Sequence, residues 1–133
     1  MHRILGIDYG EKRVGLALSD PMHMIASPYK TIPNNPDLIA AIQSIMKAEI
    51  VEIVVVGFPK GMKGQETAQT KHVNSFVENL NQNDIKVELI DERLTSISAK
   101  KALVDQGIKT GHNKGLIDQT AAAIILQQYL DSQ

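Results

Sequence analysis

Three acidic residues occupy positions where carboxylates could act together in chemistry. Asp8 ends the apolar run in "RILGID", Glu92 directly follows "KVELID", and Asp118 lies within "GLIDQTAAAIIL". Carboxylates that converge in a partly buried place repel one another, and they take up protons unless a cation compensates them. Because ligand sets made only of oxygen favour hard cations, the three acids predict a site for Mg²⁺ or Mn²⁺.

The chemistry that such a site predicts is hydrolysis of a phosphodiester bond. Two ions about 4 Å apart can activate a water on one side of the phosphorus and stabilise the leaving oxygen on the other. Each acid also has a structural interpretation. Asp8 could cap the turn that follows it, Glu92 could pair with a neighbouring basic residue, and Asp118 could be an acid favoured near a helix start. Spacing alone leaves both interpretations open.

Two further aspartates are weaker candidates for the same site. Asp20 precedes Pro21 in a predicted turn, and Asp91 comes directly before Glu92. Since side chains alternate along a strand, Asp91 is expected on the sheet face opposite to Glu92.

The elements that must position these acids follow from the apolar periodicity of the chain. Asn35 is expected to cap a helix that begins at Pro36, and Gly107 follows the end of another helix. The run "IVEIVVVG" is β-branched and nearly continuous, which is typical of a central strand covered on both faces. Strands are predicted at 3–8, 13–18, 24–32, 50–57 and 86–91, and helices at 36–49, 67–80, 95–105 and 116–130.

This order predicts an α/β fold with a mixed five-stranded sheet flanked by helices. The first three strands are expected to be antiparallel, beginning with a hairpin across "DYGEK". Crossover connections are right-handed, so the strands at 3–8, 50–57 and 86–91 should run parallel, with their C-terminal ends at one edge. Open α/β sheets place their sites at that edge, where Asp8 and Glu92 are expected to lie.

The third acid would reach the same edge from the last helix. Asp118 lies three, four and seven residues before Ala121, Ala122 and Ile125, so the four share one helical face. We expect this face to pack on the sheet, and the two alanines would let the helix approach closely.

Composition is consistent with one domain over residues 1–133, since 43% of the residues are hydrophobic. The chain has no cysteine and four scattered histidines, which argues against a thiolate or histidine metal site. No apolar run is long enough to span a bilayer, and the apolar run near the N-terminus is too short for a signal peptide. We therefore expect no membrane partner and a cytoplasmic location. The net charge of −1 does not indicate a nucleic-acid partner.

The distribution of basic residues is more informative than their number. Several lie in or just after the segments that should form the C-terminal edge of the sheet, and they are candidate contacts to nucleic acid, although scattered solvated side chains remain an alternative. The loop "GFPKGMKG" could cradle a phosphate through its backbone N–H groups, or it could be an ordinary surface loop. The candidate contacts are Lys12, Arg13, Lys60, Lys63, Arg93 and Lys114.

Four blocks of sequence carry a resemblance to a known family. "GIDYGEKRVGLALSD", "VVGFPKGMKG", "DERLTS" and "IDQTAAAIILQQYL" resemble, in order and over almost the whole chain, the YqgF family. That family is described as pre-16S ribosomal RNA nucleases and as Holliday-junction-resolvase-like proteins. The resemblance implies a ribonuclease H-like fold, and it implies that the site acids are Asp8, Glu92 and Asp118.

The resemblance also implies an activity. It is a hydrolase activity on ester bonds, namely nuclease action in maturing the 5′ end of pre-16S rRNA during ribosome biogenesis in the bacterial cytoplasm, with dependence on a divalent metal ion. The resolvases that the chain resembles carry a further acid beside the last helical one, whereas Gln119 and Thr120 follow Asp118 here. Two ions are expected. Because this further acid is missing, the second ion is expected to bind weakly or only with substrate.

Other functions are compatible with the same sequence. The chain could be a catalytically weak RNA-binding factor for ribosome assembly, a Holliday-junction-type resolvase acting on branched DNA, or a regulatory module without chemistry. "GIDYG" also looks like the first phosphate motif of actin-like and sugar-kinase ATP-binding proteins, but those proteins hold nucleotide between two domains. Monomer and weak homodimer are both open.

Overall fold

The computed structural model describes residues 2–58, 68–91 and 114–133. The described part forms one five-stranded sheet in the order β3-β2-β1-β4-β5, with three helices. All five predicted strands and three of the predicted helices are confirmed, and the helix predicted at 95–105 lies outside the described residues. The strands are β1 (Arg3–Tyr9), β2 (Arg13–Ser19), β3 (Ala26–Pro33), β4 (Val51–Phe58) and β5 (Lys86–Asp91), and the helices are α1 (Leu38–Glu49), α2 (Ala68–Gln82) and α3 (Lys114–Asp131).

The strand directions confirm the predicted mixed sheet. β1 pairs antiparallel with β2, and β2 pairs antiparallel with β3. β1 and β4 run parallel, as do β4 and β5, so that the C-terminal ends of these three strands share one edge. Asp8 lies at that edge, one residue before the end of β1.

The start of α1 differs from the prediction. The helix begins at Leu38 rather than Pro36, and the carboxamide oxygen of Asn35 accepts the N–H of Asp37 at 2.9 Å. Asn35 therefore forms a turn of its own before the helix, because asparagine side chains readily bond backbone groups two residues ahead. The predicted end at Glu49 is confirmed, since Ile50 takes a left-handed conformation and its N–H bonds Met46 O.

The two faces of the sheet are covered differently. On the face that packs against α1 and α2, which we call the large-residue face, the sheet contributes mostly leucine, isoleucine and valine. α3 covers the opposite face, which we call the α3 face, and contributes alanines together with larger aliphatic residues. Sheet residues buried on the large-residue face include Leu5, Ile7, Val14, Leu16, Leu18, Val54 and Val56, and those on the α3 face include Ile4, Ala17 and Val55.

Glycine in the sheet lets α3 approach closely. A Cβ placed on Gly6 of β1 would lie 2.7 Å from Leu126 Cβ, closer than real side chains come, and 3.0 Å from Ala122 O, which is tighter than most real contacts. Ala121 and Ala122 are buried, which confirms the predicted packing of this helical face on the sheet. None of the described helices combines the length and apolar character that crossing a bilayer requires.

Candidate active site

A row of three residues crosses the sheet at the base of the candidate site. Asp8 of β1 is the register partner of Gly15 of β2, and Gly15 is the partner of Thr31 of β3. Paired residues on neighbouring strands face the same side of a sheet. Asp8 is two residues after Gly6 and four after Ile4, so it shares their face, which contacts α3. The row therefore belongs to the α3 face, with the aspartate at one end and the threonine at the other.

The middle of this row is in direct contact with the backbone of α3. A Cβ on Gly15 would overlap the carbonyl group of Asp118 and would lie 2.9 Å from Gln119 N. A strand glycine often marks a close approach of another backbone, and that is its role here. Because Gly15 is beside Asp8 in the sheet, seating Asp118 on Gly15 brings the two acidic residues into neighbouring positions.

Thr31 fixes the beginning of α3 above the same row. Its hydroxyl donates a hydrogen bond to Gly115 O at 2.6 Å and lies 3.4 Å from the side-chain oxygen of Gln119. Gly115 and Gln119 are one helical turn apart, so both contacts come from the same side of α3. The first turns of the helix are thus tied to the edge strand while Asp118 is seated on the next strand.

The carboxylate of Asp118 forms an ion pair with Arg13. Arg13 Nε donates to Asp118 Oδ2 at 2.6 Å, and the two side chains are 39% and 21% exposed, respectively. Arg13 stands two residues before Gly15 in β2, so its side chain starts on the same face. α3 begins at Lys114, two residues earlier than predicted, which places Asp118 in the second helical turn. The helix dipole has weakened there, so Arg13 is the cation that compensates this carboxylate.

Not all of the predicted site lies within the described residues. Glu92, Lys60, Lys63, Arg93 and the side chain of Lys114 lie outside them, as does most of the loop "GFPKGMKG". Within residues 2–58, 68–91 and 114–133, no three acidic, histidine or cysteine side chains form a cluster able to hold a metal ion. β5 ends at Asp91, whose register partner is Phe58 at the end of β4.

Lys12 lies exposed in the turn between β1 and β2. Its backbone carbonyl accepts the N–H of Asn34 at 3.1 Å, and Gly10 O accepts the Asn34 side-chain amide at 2.8 Å. The turn that carries Lys12 is therefore fixed to the end of β3, at the same edge of the sheet as Asp8.

Asp20 lies at the opposite end of the hairpin and has a structural role. Its carboxylate accepts the backbone N–H groups of Met22, Met24 and Ile25 at 2.7 to 3.0 Å. The bond from Ile25, together with those from Met24 and Met22, lowers the pKa of Asp20 below its usual value. Asp20 thus organises the loop between β2 and β3, which agrees with the turn predicted for it.

Three features of this site were not predicted from the sequence. They are the seating of Asp118 on Gly15, the bond from Thr31 to the start of α3, and the Arg13–Asp118 pair. A glycine inside the predicted strand 13–18 was the available signal for the first, because glycine weakens a strand unless something must come close. The other two depend on long-range packing, and no local pattern marks them.

A family profile described as "RuvX: Holliday junction resolvase" matches residues 2–132. The chain belongs to this family. The four sequence blocks indicated a resemblance to the YqgF family, and this match confirms it. The relatives of the chain carry the name "Putative pre-16S rRNA nuclease", which is the description that the YqgF resemblance implied.

Proteins with similar sequences match over the full length of the chain. A protein of Phocaeicola vulgatus is 42% identical, with 100% of this chain and 98% of the relative covered, and is named "Putative pre-16S rRNA nuclease". A protein of Flavobacterium johnsoniae with the same name is 44% identical over 100% of this chain and 99% of its own. The prediction of a hydrolase acting on ester bonds agrees with these names.

Solved structures resemble the chain in fold at low sequence identity. RuvC of T. thermophilus in complex with a Holliday junction substrate has a TM-score of 0.59 at 15% identity, covering 99% of this chain and 95% of that one. The Fowlpox virus resolvase in complex with Holliday junction DNA has a TM-score of 0.58 at 12% identity, with 98% and 97% covered. These likenesses confirm the predicted ribonuclease H-like fold of this RuvX-family chain.

Proposed function

We propose that the chain is a metal-dependent endonuclease that hydrolyses phosphodiester bonds in maturing the 5′ end of pre-16S rRNA in the cytoplasm. The observation that carries the proposal is the contact between the α3 backbone and Gly15, which brings Asp118 beside Asp8 at the C-terminal edge of the sheet. The backbones of two acidic residues that are distant in the sequence thereby lie in neighbouring positions. The names of the full-length relatives support RNA as the substrate.

The donor atoms at this place fit a hard divalent cation. Asp8 and Asp118 provide carboxylate oxygens, and Glu92, the residue after the last of β5, is the third proposed ligand. Mg²⁺ or Mn²⁺, when bound, would supply water activation and compensation of the charge that develops on the phosphate oxygens. Since Gln119 and Thr120 follow Asp118, a second ion would need phosphate oxygens of the bound strand to complete its ligands.

The other residues of the site act on position and charge. Gly15 and Thr31 fix the backbone of α3, and thereby the backbone position of Asp118, relative to Asp8. The six basic residues predicted to contact nucleic acid would bind the phosphate backbone of the strand, because such contacts position a substrate independently of its sequence.

A second candidate function is cleavage of branched DNA. It is favoured by the family description and by the two resolvases, both bound to Holliday junctions, that share this fold. The two candidates use the same acids and differ in substrate alone, so one set of variants tests both.

The test is cleavage by purified Asp8→Asn protein of a pre-16S rRNA fragment and, in parallel, of a four-way DNA junction, each with Mg²⁺ or Mn²⁺. The substitution removes a charged ligand, so cleavage should fall by a factor of about 10³ or more with secondary structure unchanged. Asp37→Asn is the matched control, because Asp37 is exposed before α1 and its side chain makes no capping bond. Wild-type cleavage by Asp8→Asn would overturn the proposal.

The same variant separates catalysis from an assembly role. Cells that carry only Asp8→Asn protein should accumulate unprocessed pre-16S rRNA. Normal maturation in those cells would instead favour the alternative of an RNA-binding assembly factor that does not use the acid.

A further inference from the structure

The ion pair at the candidate site occupies a carboxylate that the proposed function needs. Asp118 Oδ2 accepts the Nε–H of Arg13 at 2.6 Å, and this bond is a charge-assisted one. A divalent ion bound to the same carboxylate would lie close to the guanidinium, and two cations at such a separation repel each other. The Arg13–Asp118 pair therefore lowers the affinity of Asp118 for a divalent ion, and a bound ion weakens the pair.

We propose that Arg13 is an exchangeable counter-cation of the site. It neutralises Asp118 before a divalent ion binds, and when the ion takes that carboxylate the guanidinium moves to a phosphate of the nucleic-acid strand. This inference rests on the proposed function, and it assigns to Arg13 a positioning role that links ion binding to strand binding.

The surroundings of the pair allow this exchange. The Arg13 side chain is 39% exposed, so it can leave the carboxylate without crossing the protein interior. Its Nε–H is the donor used to Asp118, and guanidinium has four further N–H groups, which suit a phosphate. Asp118 does not have to move, because Gly15 and the Thr31 bond fix the backbone of α3 independently of Arg13.

The exchange predicts that ion and strand assist each other. An ion on Asp118 frees Arg13 for a phosphate, and a phosphate that takes Arg13 frees Asp118 for an ion. By thermodynamic linkage the two effects must be equal in size. The same residue should therefore oppose ion binding in the isolated protein and favour strand binding once the ion is present.

The first test is the affinity for Mn²⁺ alone, measured from the electron paramagnetic resonance signal of the free ion. Arg13→Gln should bind Mn²⁺ more tightly than wild type by up to about five-fold, the factor that corresponds to the ~1 kcal/mol at the upper end of the range for exposed ion pairs. Lys12→Gln is the matched control, since it removes the same charge from the adjacent position in an exposed turn. Its Mn²⁺ affinity should change by less than about two-fold.

The second test is the salt dependence of binding to a phosphorothioate RNA strand. With Mn²⁺ present, Arg13→Gln should lower the slope of log affinity against log salt by about 0.7, the value of one phosphate contact to a single strand. Without a divalent ion the slope should equal that of wild type, because Asp118 then holds Arg13. Lys12→Gln should lower the slope to the same extent with and without Mn²⁺, because Lys12 is a proposed phosphate contact that does not depend on the ion.

The outcomes separate this inference from the proposed function. If Mn²⁺ binding is equal in wild type, Asp8→Asn and Asp118→Asn, the ion does not use these carboxylates, and both proposals are overturned. If binding depends on both aspartates but Arg13→Gln binds no more tightly than wild type, only the role of Arg13 is overturned.

A measurement on the wild-type protein covers the case in which Arg13→Gln does not fold. During a titration with Mg²⁺, the ¹⁵N resonance of the Arg13 Nε–H group should shift as Asp118 takes up the ion. A resonance that stays unchanged at saturating Mg²⁺ would show that the pair persists, and the inference would be wrong.

Discussion

Two adjacent residues of β2 show how differently the two faces of the sheet are built. Leu16 is fully buried among large aliphatic side chains on the large-residue face, which α1 and α2 cover. Gly15, its neighbour, faces α3, and its missing side chain leaves room for the backbone of Asp118. Leu16 fills space in a hydrophobic core, whereas Gly15 leaves space that the backbone of α3 occupies.

This difference explains why the candidate site lies on the α3 face. Gly6, Gly15 and Ala17 allow the helix to lie close to the sheet, and a helix at that distance brings its own polar side chains to the polar end of the strands. The large-residue face separates its helices from the sheet by layers of leucine and valine. We therefore expect stability to depend mainly on the large-residue face and activity mainly on the α3 face.

The largest effect on stability is expected from Leu16→Ala. Removing a fully buried leucine leaves a cavity, and such changes lower the free energy of unfolding by about 2–5 kcal/mol. Urea denaturation measures this loss. Because the Leu16 side chain points to the face opposite to the candidate site, Mn²⁺ affinity and the cleavage rate of the folded protein should stay within about two-fold of wild type. A large loss of either would contradict the separation of the two faces.

Gly15→Ala should affect both stability and the site. A Cβ there overlaps the Asp118 carbonyl group, so α3 must move, and overpacking of this kind costs about 1–3 kcal/mol. The displacement should also weaken Mn²⁺ binding and cleavage by at least about ten-fold, because misplacing a catalytic group even slightly is costly.

Gly115→Ala, a substitution in α3 itself, provides the control for that prediction. A Cβ on Gly115 would lie 3.7 Å from Thr31 side-chain atoms, an ordinary contact distance. Stability should be unchanged or raised by up to about 1 kcal/mol, since alanine is the better helix residue. If Gly15→Ala were tolerated as well as Gly115→Ala, the close contact of α3 with β2 would be unnecessary.

Thr31→Val should have a smaller effect on the same face. It removes the hydroxyl that bonds Gly115 O, and the loss of such a bond costs about 1 kcal/mol. Thermal unfolding with Thr31→Ser as the comparison measures it, because serine keeps the hydroxyl. Equal melting temperatures for the valine and serine variants would show that the bond does not hold α3.

The smallest effect on stability is expected from Asp20→Ala, in the loop between β2 and β3. Its pKa is lowered by backbone hydrogen bonds in the folded protein, so its ionised form stabilises the loop above the usual pKa of 3.8. That contribution is lost as the pH falls through the lowered pKa. The difference in unfolding free energy between wild type and Asp20→Ala should therefore shrink below pH 3.8, and a difference independent of pH would contradict the role of the charge.

Much of the fold could be predicted from local patterns. The hairpin, the parallel strands and α3 follow from apolar runs, glycine turns and the stripe of Ala121, Ala122 and Ile125. The start of α1 was misplaced because Asn35 can form either a helix cap or a turn, and local sequence does not distinguish them.

The members of the candidate site stay a prediction from the sequence, and the contacts among them were not predicted. Asp8 and Asp118 could be chosen from strand ends and helical periodicity, and the topology that joins them followed from the handedness of crossovers. The pairing of Arg13 with Asp118 spans 105 positions in the chain and depends on the register of β2 beneath α3. No periodicity or spacing carries information of that kind.

We propose above that Asp8 and Asp118, on the α3 face, hold a divalent ion for phosphodiester hydrolysis. The most direct measurement is anomalous diffraction from a crystal of the protein soaked in Mn²⁺. We expect an anomalous peak within coordination distance of carboxylate oxygens of both residues, about 2.0–2.4 Å, with Arg13 displaced from Asp118 Oδ2. A saturating soak that leaves the Arg13–Asp118 pair intact, with no peak between the two aspartates, would contradict it.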